Sequence, residues 1–181
     1  MEAVGYDMYL KLLSEAIAEE KGEPVKNVGE CTVDIQIDAH IPENYIESLS
    51  QRLDVYKKIA AIQTEEDKMD VIDELIDRYG EPPKSVAGLA EASLLRNMAS
   101  GMGITEIQQR NGSMFFYTEH PDMKQINALS KQFRGRILFN SLSKPYISVK
   151  MEKGVRPEAL MRLVLDVMAE AVKNNDKTDN L

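Results

Sequence analysis

Apolar residues recur at helical spacing through most of the chain and alternate with polar residues in a few short runs. The first stretch, residues 5–21, predicts a helix closed by Gly22 and Pro24. Its apolar positions are Met8, Leu12, Leu13, Ile17 and Ala18. The period then changes to two, since Val33, Ile35 and Ile37 alternate with polar residues, as in a half-buried strand.

Three further helices are predicted before residue 104. The first is marked by Leu49, Leu53, Tyr56, Ile59 and Ala60. The second spans Glu65 to Tyr79, with Thr64 and Asp67 spaced as a capping pair. The third runs from about residue 84 to residue 100 and ends at two glycines. Its inward positions are Val86, Leu89, Ala90 and Leu94.

The pattern from residue 104 onward mixes strands and helices. Asn111-Gly112 joins two strand-like runs and is a strong hairpin signal, because both central residues of a type I′ turn need positive φ. Asp122 precedes a helix, strands are predicted at 136–140 and 146–151, and Pro157 begins a final helix.

These elements predict an α+β fold. We expect a helix over residues 1–24, a mainly helical front part over 25–103, and an α+β back part over 104–174 with a small antiparallel sheet. Residues 175–181 are expected to form a disordered tail.

Charge and cysteine content narrow the function classes. The net charge is −8 and the pI is near 4.9, which argues against a general nucleic-acid surface. One cysteine, Cys31, cannot form an internal disulfide, and there is no long apolar run or basic leader. We therefore expect a cytoplasmic chain without membrane contact.

The sequence contains no set of residues at the spacing that a known catalytic or metal-binding motif requires. The two histidines, His40 and His120, lie far apart and have no cysteine or histidine partner at metal-ligand spacing. Phosphate-loop, dinucleotide-loop and nucleophile-elbow motifs do not occur. We expect no catalytic residue, no metal and no cofactor in this chain.

Three consecutive aromatic residues, Phe115, Phe116 and Tyr117, raise the question of base stacking. Such a platform needs aromatic rings alternating on one exposed face with cations beside them, and in the sequence only Arg110 is near. The favoured interpretation is that the phenylalanines face the core.

The helix predicted at residues 65–79 contains seven acidic and two basic residues, a net charge of −5. At about 100° per residue, its apolar positions fall on one side and its acidic positions on the other. The predicted core-facing residues are Met69, Ile72, Leu75, Ile76 and Tyr79. The opposite side carries Asp70, Asp73, Glu74 and Asp77, which we call the acidic face. Such a face can be merely solvated or can contact a basic partner.

Four segments, in this order and spacing, resemble the C-terminal domain of the bacterial transcription-repair coupling factors, the Mfd family. They are VGYDMYLKLLSEAI, VDIQIDAHIPENYI, RLDVYKKIA and ELIDRYGEPPKSV. The resemblance is specific over residues 4–103 and weaker beyond. The EAVGYDMY stretch resembles the tail of the family's translocation motif, so we expect a fragment of a longer protein.

The resemblance implies a non-catalytic, autoinhibitory domain of an ATP-driven DNA translocase. It implies a domain that packs on the UvrA-binding domain of the same protein and restrains the motor until RNA polymerase is engaged. The parent protein is expected to use ATP and Mg and to bind UvrA, RNA polymerase and double-stranded DNA. We expect the acidic face to make the interdomain contact.

Two other hypotheses remain. A nucleic-acid-contacting module could use the basic segment 131–136, with Lys131, Arg134 and Arg136. An independent enzyme would need a carboxylate of raised pKa in a deep pocket.

Overall fold

A computed structural model describes residues 31–176, with side chains described through residue 173. The helix predicted at residues 5–21 lies outside these residues. The helices are α1 (Leu49–Ala60), α2 (Glu65–Tyr79), α3 (Lys84–Gly101), α4 (Met123–Gln132) and α5 (Pro157–Asp176). The strands are β1 (Thr32–Asp34), β2 (Ile104–Arg110), β3 (Ser113–Thr118), β4 (Ile137–Asn140) and β5 (Tyr146–Lys150). The predicted α+β class is confirmed.

The five strands form one mixed sheet in the order β1-β2-β3-β5-β4. The small antiparallel sheet expected in the back part is present as β2, β3, β5 and β4, and a fifth strand that was not expected in it extends this sheet. Strand β1, from the front part, pairs in parallel with β2, and Val33 lies opposite Ile107. The ladder ends at Asp34, after which the Gln36 N–H donates to the Gln109 side-chain oxygen at 2.9 Å. The front and back parts therefore share the sheet.

Two short motifs have the predicted local geometry. Asn111 and Gly112 have φ of 51° and 70°, as the hairpin between β2 and β3 requires. Asp122 caps α4, since its carboxylate accepts a hydrogen bond from the Lys124 N–H at 2.7 Å. Both motifs fix where the following element begins.

The core lies between one face of the sheet and the helices. Sheet residues on this face, such as Ile107, Phe116 and Val149, are almost fully buried. Helix α3 is the central helix because it packs against α1, α2, α5 and β2. Leu89 at its middle is 0% exposed. The predicted inward residues of α3 are thus in the core.

The aromatic run of β3 divides between the two faces of the sheet. Phe116 faces the core, as expected, whereas the same expectation for Phe115 was wrong. Phe115 and Tyr117 occupy the alternate positions and lie on the opposite face, because successive side chains of a strand point to opposite sides. Strand β5 brings Tyr146 beside them, and Lys144, just before β5, lies over the Tyr117 ring, so a second cation joins Arg110, the one near in sequence.

Helix α5 continues through Asp176, two residues into the segment predicted to be disordered. Among the described residues, no helix is long and apolar enough to cross a membrane.

Candidate functional site

Helix α2 begins with the capping box predicted from Thr64 and Asp67. The Asp67 N–H donates to Thr64 Oγ1 at 3.1 Å, and the Thr64 N–H donates back to Asp67 Oδ2 at 2.9 Å. The Gln63 N–H also donates to Asp67 Oδ2, at 3.0 Å. These hydrogen bonds, with that from Gln63 the largest, lower the pKa of Asp67 below its ordinary value. The start of α2 is therefore fixed.

The end of α2 is held by Gly80 and two tyrosines. Gly80 has φ of 81°, and its N–H donates to the Ile76 carbonyl at 3.0 Å. The Tyr45 hydroxyl donates to the Gly80 carbonyl at 2.9 Å. The Tyr45 and Tyr79 rings meet edge to face with centroids 6.0 Å apart. Burial raises the pKa of Tyr45, and the nearby Glu81 adds to this effect.

The side of α2 that faces the core is narrower than predicted. Leu75 is buried, and Ile72 and Tyr79 are half-buried against the core. Met69 and Ile76 were predicted to face the core, but they are 62% and 39% exposed. Helix α2 lies at the edge of the helical layer, where it packs against α1 and α3, so only a narrow strip of its surface is covered. Two apolar side chains therefore border the acidic face.

Three of the four predicted site residues are exposed. Asp70, Asp73 and Asp77 form no hydrogen bond or ion pair with any residue in the described part of the chain. Their positions at i, i+3 and i+7 place them along one side of the helix. They are thus available to an external cation.

Glu74, the fourth predicted residue, is already paired within the chain. Lys58 Nζ lies 2.5 and 2.6 Å from its two carboxylate oxygens, and Arg78 Nη1 lies 3.0 Å from one of them. Hydrogen bonds from Lys58 and Arg78, in that order, lower the pKa of Glu74. Arg78 lies at i+4 on the same helix, whereas Lys58 is supplied by α1, and the sequence analysis predicted neither partner.

A network of four charged side chains ties α2 to the two helices beneath it. Arg162 Nε on α5 lies 2.5 Å from Glu91 Oε1 on α3, and Arg162 Nη1 lies 2.6 Å from Glu65 Oε1 on α2. Lys68 Nζ lies 3.0 Å from Glu91 Oε2 and 2.6 Å from Glu65 Oε2. The side chain of Glu91 is only 21% exposed. Sequence reasoning missed this network, because only the Glu65–Lys68 spacing is local.

The network shifts the pKa values of its carboxylates. Burial raises the pKa of Glu91, but hydrogen bonds from Arg162 and Lys68 outweigh burial and leave it below the ordinary 4.5. The Lys68 hydrogen bond is the main cause that lowers the pKa of Glu65. These carboxylates are therefore ionised near neutral pH and hold α2 in place. Neither has the raised pKa that a general acid needs.

The remaining residues considered from the sequence lie apart from α2. His40 Nδ1 is 2.9 Å from Asp38 Oδ1 at an exposed turn, and Cys31 is buried. No group of acids, histidines and cysteines in residues 31–176 is arranged to hold a metal ion. In the basic segment 131–136, Lys131 and Arg134 are exposed, whereas Arg136 Nη1 lies 2.9 Å from Glu152.

Sequence and structure comparisons relate the chain to known proteins. The sequence model of the TRCF domain matches residues 35–129. The transcription-repair-coupling factor of Bacillus subtilis (strain 168) is 37% identical over 110 residues, which are 60% of this chain and 9% of that protein. The protein of the same name from Staphylococcus aureus (strain USA300) is 36% identical over 112 residues, 61% of this chain and 10% of that protein. The chain thus aligns with about a tenth of the length of these relatives.

A solved structure shares the fold. The crystal structure of the C-terminal domain of a transcription-repair coupling factor matches with a TM-score of 0.69. The match covers 86% of this chain and 99% of that one, at 20% sequence identity. At this identity the match shows the fold alone.

Proposed function

We propose a regulatory function from one premise: the chain belongs to the TRCF domain family. In our proposal it is the non-catalytic, autoinhibitory part of a transcription-coupled DNA repair translocase. The acidic face covers the UvrA-binding domain of the same protein and restrains the ATP-driven motor until RNA polymerase is engaged. ATP, Mg, UvrA, RNA polymerase and double-stranded DNA are then partners of the parent protein.

One observation carries this proposal: Asp70, Asp73 and Asp77 have no partner among residues 31–176 and lie on the exposed side of a helix whose two ends are fixed. Because the helix is fixed at both ends, the backbone positions of these carboxylates are already ordered. The acidic face can therefore meet a row of Arg or Lys side chains with a smaller entropy cost than a mobile loop. Polar interdomain contacts of this kind are typical of interfaces that open.

Glu74 has a different role from the three aspartates. Lys58 and Arg78 already neutralise its charge, so a partner cation must join or displace them. We therefore assign the electrostatic attraction mainly to Asp70, Asp73 and Asp77. Exposed pairs of this kind are weakened by salt, because the Debye length shortens as ionic strength rises.

A competition experiment tests the masking function. The parent protein truncated before this chain is allowed to bind UvrA, and the 181-residue chain is then titrated in at about 50 and 300 mM salt. We expect the chain to displace UvrA at low salt and much less at high salt, since surface ion pairs are screened.

Charge reversals locate the contact. Asp73→Arg should abolish displacement without disturbing the fold, because Asp73 has no partner in the described residues. Glu170→Arg on α5 is the matched control: it makes the same charge change at an exposed residue away from α2. Equal displacement by the Asp73→Arg and Glu170→Arg chains would refute the role of the acidic face. No displacement by the unmodified chain at either salt would refute masking by the free chain.

Restraint of the motor is measured separately, in the full-length parent protein. Asp73→Arg should raise its basal ATPase rate, because loss of the contact releases the restraint, whereas Glu170→Arg should not. An unchanged basal rate in both variants would contradict the autoinhibitory part of the proposal.

A further inference from the structure

The outer face of the sheet is the side of the strands that points away from the core. Alternate residues of β2, β3 and β5 lie on it, and register places Phe115 beside Ser148 and Tyr117 beside Tyr146. Inward neighbours such as Phe116 and Ile147 are almost fully buried, whereas Phe115 and Tyr146 are only half-buried. The described helices pack on the inward side.

Three aromatic rings meet at the centre of this outer face. The centroids of Phe115 and Tyr146 are 5.3 Å apart, and those of Tyr117 and Tyr146 are 5.6 Å apart, both edge to face. Tyr117 is held underneath, since its hydroxyl accepts a hydrogen bond from Arg110 Nη2 at 3.0 Å. Tyr146 is therefore the ring a ligand can reach most directly, because the Arg110 guanidinium lies over Phe115.

Cations surround these rings. Arg110 Cζ lies 4.2 Å from the centroid of Phe115, and Lys144 Nζ lies 4.3 Å from that of Tyr117. Lys150, paired with Ser113 in the register, is exposed at the same end of the face as Arg110. Arg110 and Lys150 have no carboxylate partner among the described residues.

Two acids of the described strands lie on the outer face, Glu106 and Asp34, and they offset only two of the three positive charges of Arg110, Lys144 and Lys150. Glu106 is neutralised by an ion pair with Lys144. Asp34 lies on the edge strand β1 opposite Gln108, two strands from Phe115 and three strands from Tyr146 in the sheet order. The excess of acidic charge in the whole chain comes mainly from α2, which packs against α1 and α3. Local charge near the rings is therefore positive.

We propose that this outer face binds single-stranded nucleic acid. Unpaired bases stack on Tyr146 and on the outward plane of the Arg110 guanidinium, which itself lies over the Phe115 ring, while the edge of Arg110 and Lys150 contact the phosphates. Aromatic rings on adjacent central strands with cations beside them suit single strands, because a base offers its ring face only when it is unstacked. A duplex shows only base edges, so it lacks the surface that these rings recognise. This site is distinct from the acidic face and from the basic segment 131–136.

Fluorescence anisotropy with the full chain tests the proposal. The probes are a 12-nucleotide oligo(U), a 12-nucleotide oligo(dT) and a 12-base-pair duplex, at about 50 mM salt. We expect the single strands to bind at least tenfold more tightly than the duplex. The tighter of the two single strands identifies which sugar the face accepts. Absence of binding by both single strands at 100 µM chain would overturn the proposal.

Two sets of variants separate stacking from charge. Phe115→Leu and Tyr146→Leu keep apolar bulk and should each weaken binding by about fivefold or more, since one stacked base contributes about 1–3 kcal/mol. Arg110→Gln with Lys150→Gln should reduce the slope of log affinity against log salt by about 1.4, because each phosphate contact on a single strand contributes about 0.7. Circular dichroism checks that each variant is folded.

A control variant makes the same charge change in the basic segment. Lys131→Gln with Arg134→Gln should leave the affinity within about twofold of the unmodified chain, because these side chains lie outside the outer face. An equal loss in this variant and in Arg110→Gln with Lys150→Gln would overturn the assignment. So would Leu variants that bind as tightly as the unmodified chain.

Discussion

Replacing Glu91 by glutamine tests whether the charge network holds α2 on the body of the domain. Glu91 lies on α3 between Arg162 of α5 and Lys68 of α2, and its side chain is 21% exposed. Glutamine has nearly the same shape but no charge. It can accept a hydrogen bond through its oxygen, but its amide group would direct N–H donors toward a neighbouring cation.

The magnitude follows from the two bonds that are weakened. Hydrogen bonds to a charged group contribute about 1.5–3 kcal/mol each when shielded from water. Glutamine keeps part of one bond, and the one-fifth exposure of Glu91 allows water to replace some of the loss. We therefore expect the free energy of unfolding to fall by about 2 kcal/mol at pH 7. For a domain of this size, the melting temperature should fall by about 4–8 °C.

The pH dependence has a definite sign. The pKa of Glu91 in the folded chain lies below 4.5, so the folded state favours the ionised form. The contribution of Glu91 to the free energy of unfolding is fully present above its pKa in the unfolded chain. It is lost as the pH falls through its pKa in the folded chain. Urea unfolding at pH 7 and at successive values below pH 4.5 should show the difference between the two proteins shrinking as the pH is lowered.

Glu152→Gln is the matched control, because Glu152 is 61% exposed and pairs only with Arg136 among the described residues. Its free energy of unfolding should change by less than about 0.5 kcal/mol, as for most exposed ion pairs. A Glu91→Gln protein as stable as the Glu152→Gln control at pH 7 would show that the network contributes nothing. A difference that persisted unchanged at low pH would have a cause other than the carboxylate charge.

Three further substitutions, two of them with a comparison variant, test how α2 and the core are built, each by urea unfolding at pH 7. Thr64→Ala removes the oxygen that accepts a hydrogen bond from the Asp67 N–H, so the free energy of unfolding should fall by about 1 kcal/mol. Thr64→Ser keeps such an oxygen and should lose much less. Gly80→Ala should cost about 1 kcal/mol or more through backbone strain alone, because φ is 81° and the added methyl group meets no atom within 4 Å; a neutral result would contradict the positive φ. Leu89→Ala should cost about 2–5 kcal/mol because Leu89 is fully buried, while Met69→Ala should change stability by less than about 0.5 kcal/mol; a large effect at Met69 would mean that its side chain is covered.

Sequence patterns predicted the elements whose signals are local. The turn at Asn111-Gly112, the capping pair of Thr64 and Asp67, and the long apolar stripe of α3 each depend on residues within a few positions of one another. The parallel pairing of β1 with β2 was not predicted. It joins residues more than 70 positions apart, and a strand's alternation indicates which side faces the core but not which strand lies beside it.

The candidate site shows the same division between local and long-range information. Periodicity predicted that Asp70, Asp73 and Asp77 would be exposed, and they are. It also predicted that Met69 and Ile76 would face the core, which was wrong because the width of the covered strip depends on the helices packed beside α2. The partner of Glu74 on α1 could not be predicted for the same reason. The role of the acidic face in an interdomain contact stays a prediction.

Helix α2 is held to the domain differently from its neighbour α3. Of its residues only Leu75 is buried, whereas α3 has ten buried residues, so burial alone holds α2 weakly. Ion pairs from Arg162 and Lys58 and the Tyr45 hydrogen bond add polar contacts between α2 and the rest of the domain. Added salt should therefore weaken two things: the ion pairs that attach α2 to the domain and the proposed contact of the acidic face with its partner. The two effects separate because Glu91→Gln weakens only the first and Asp73→Arg only the second.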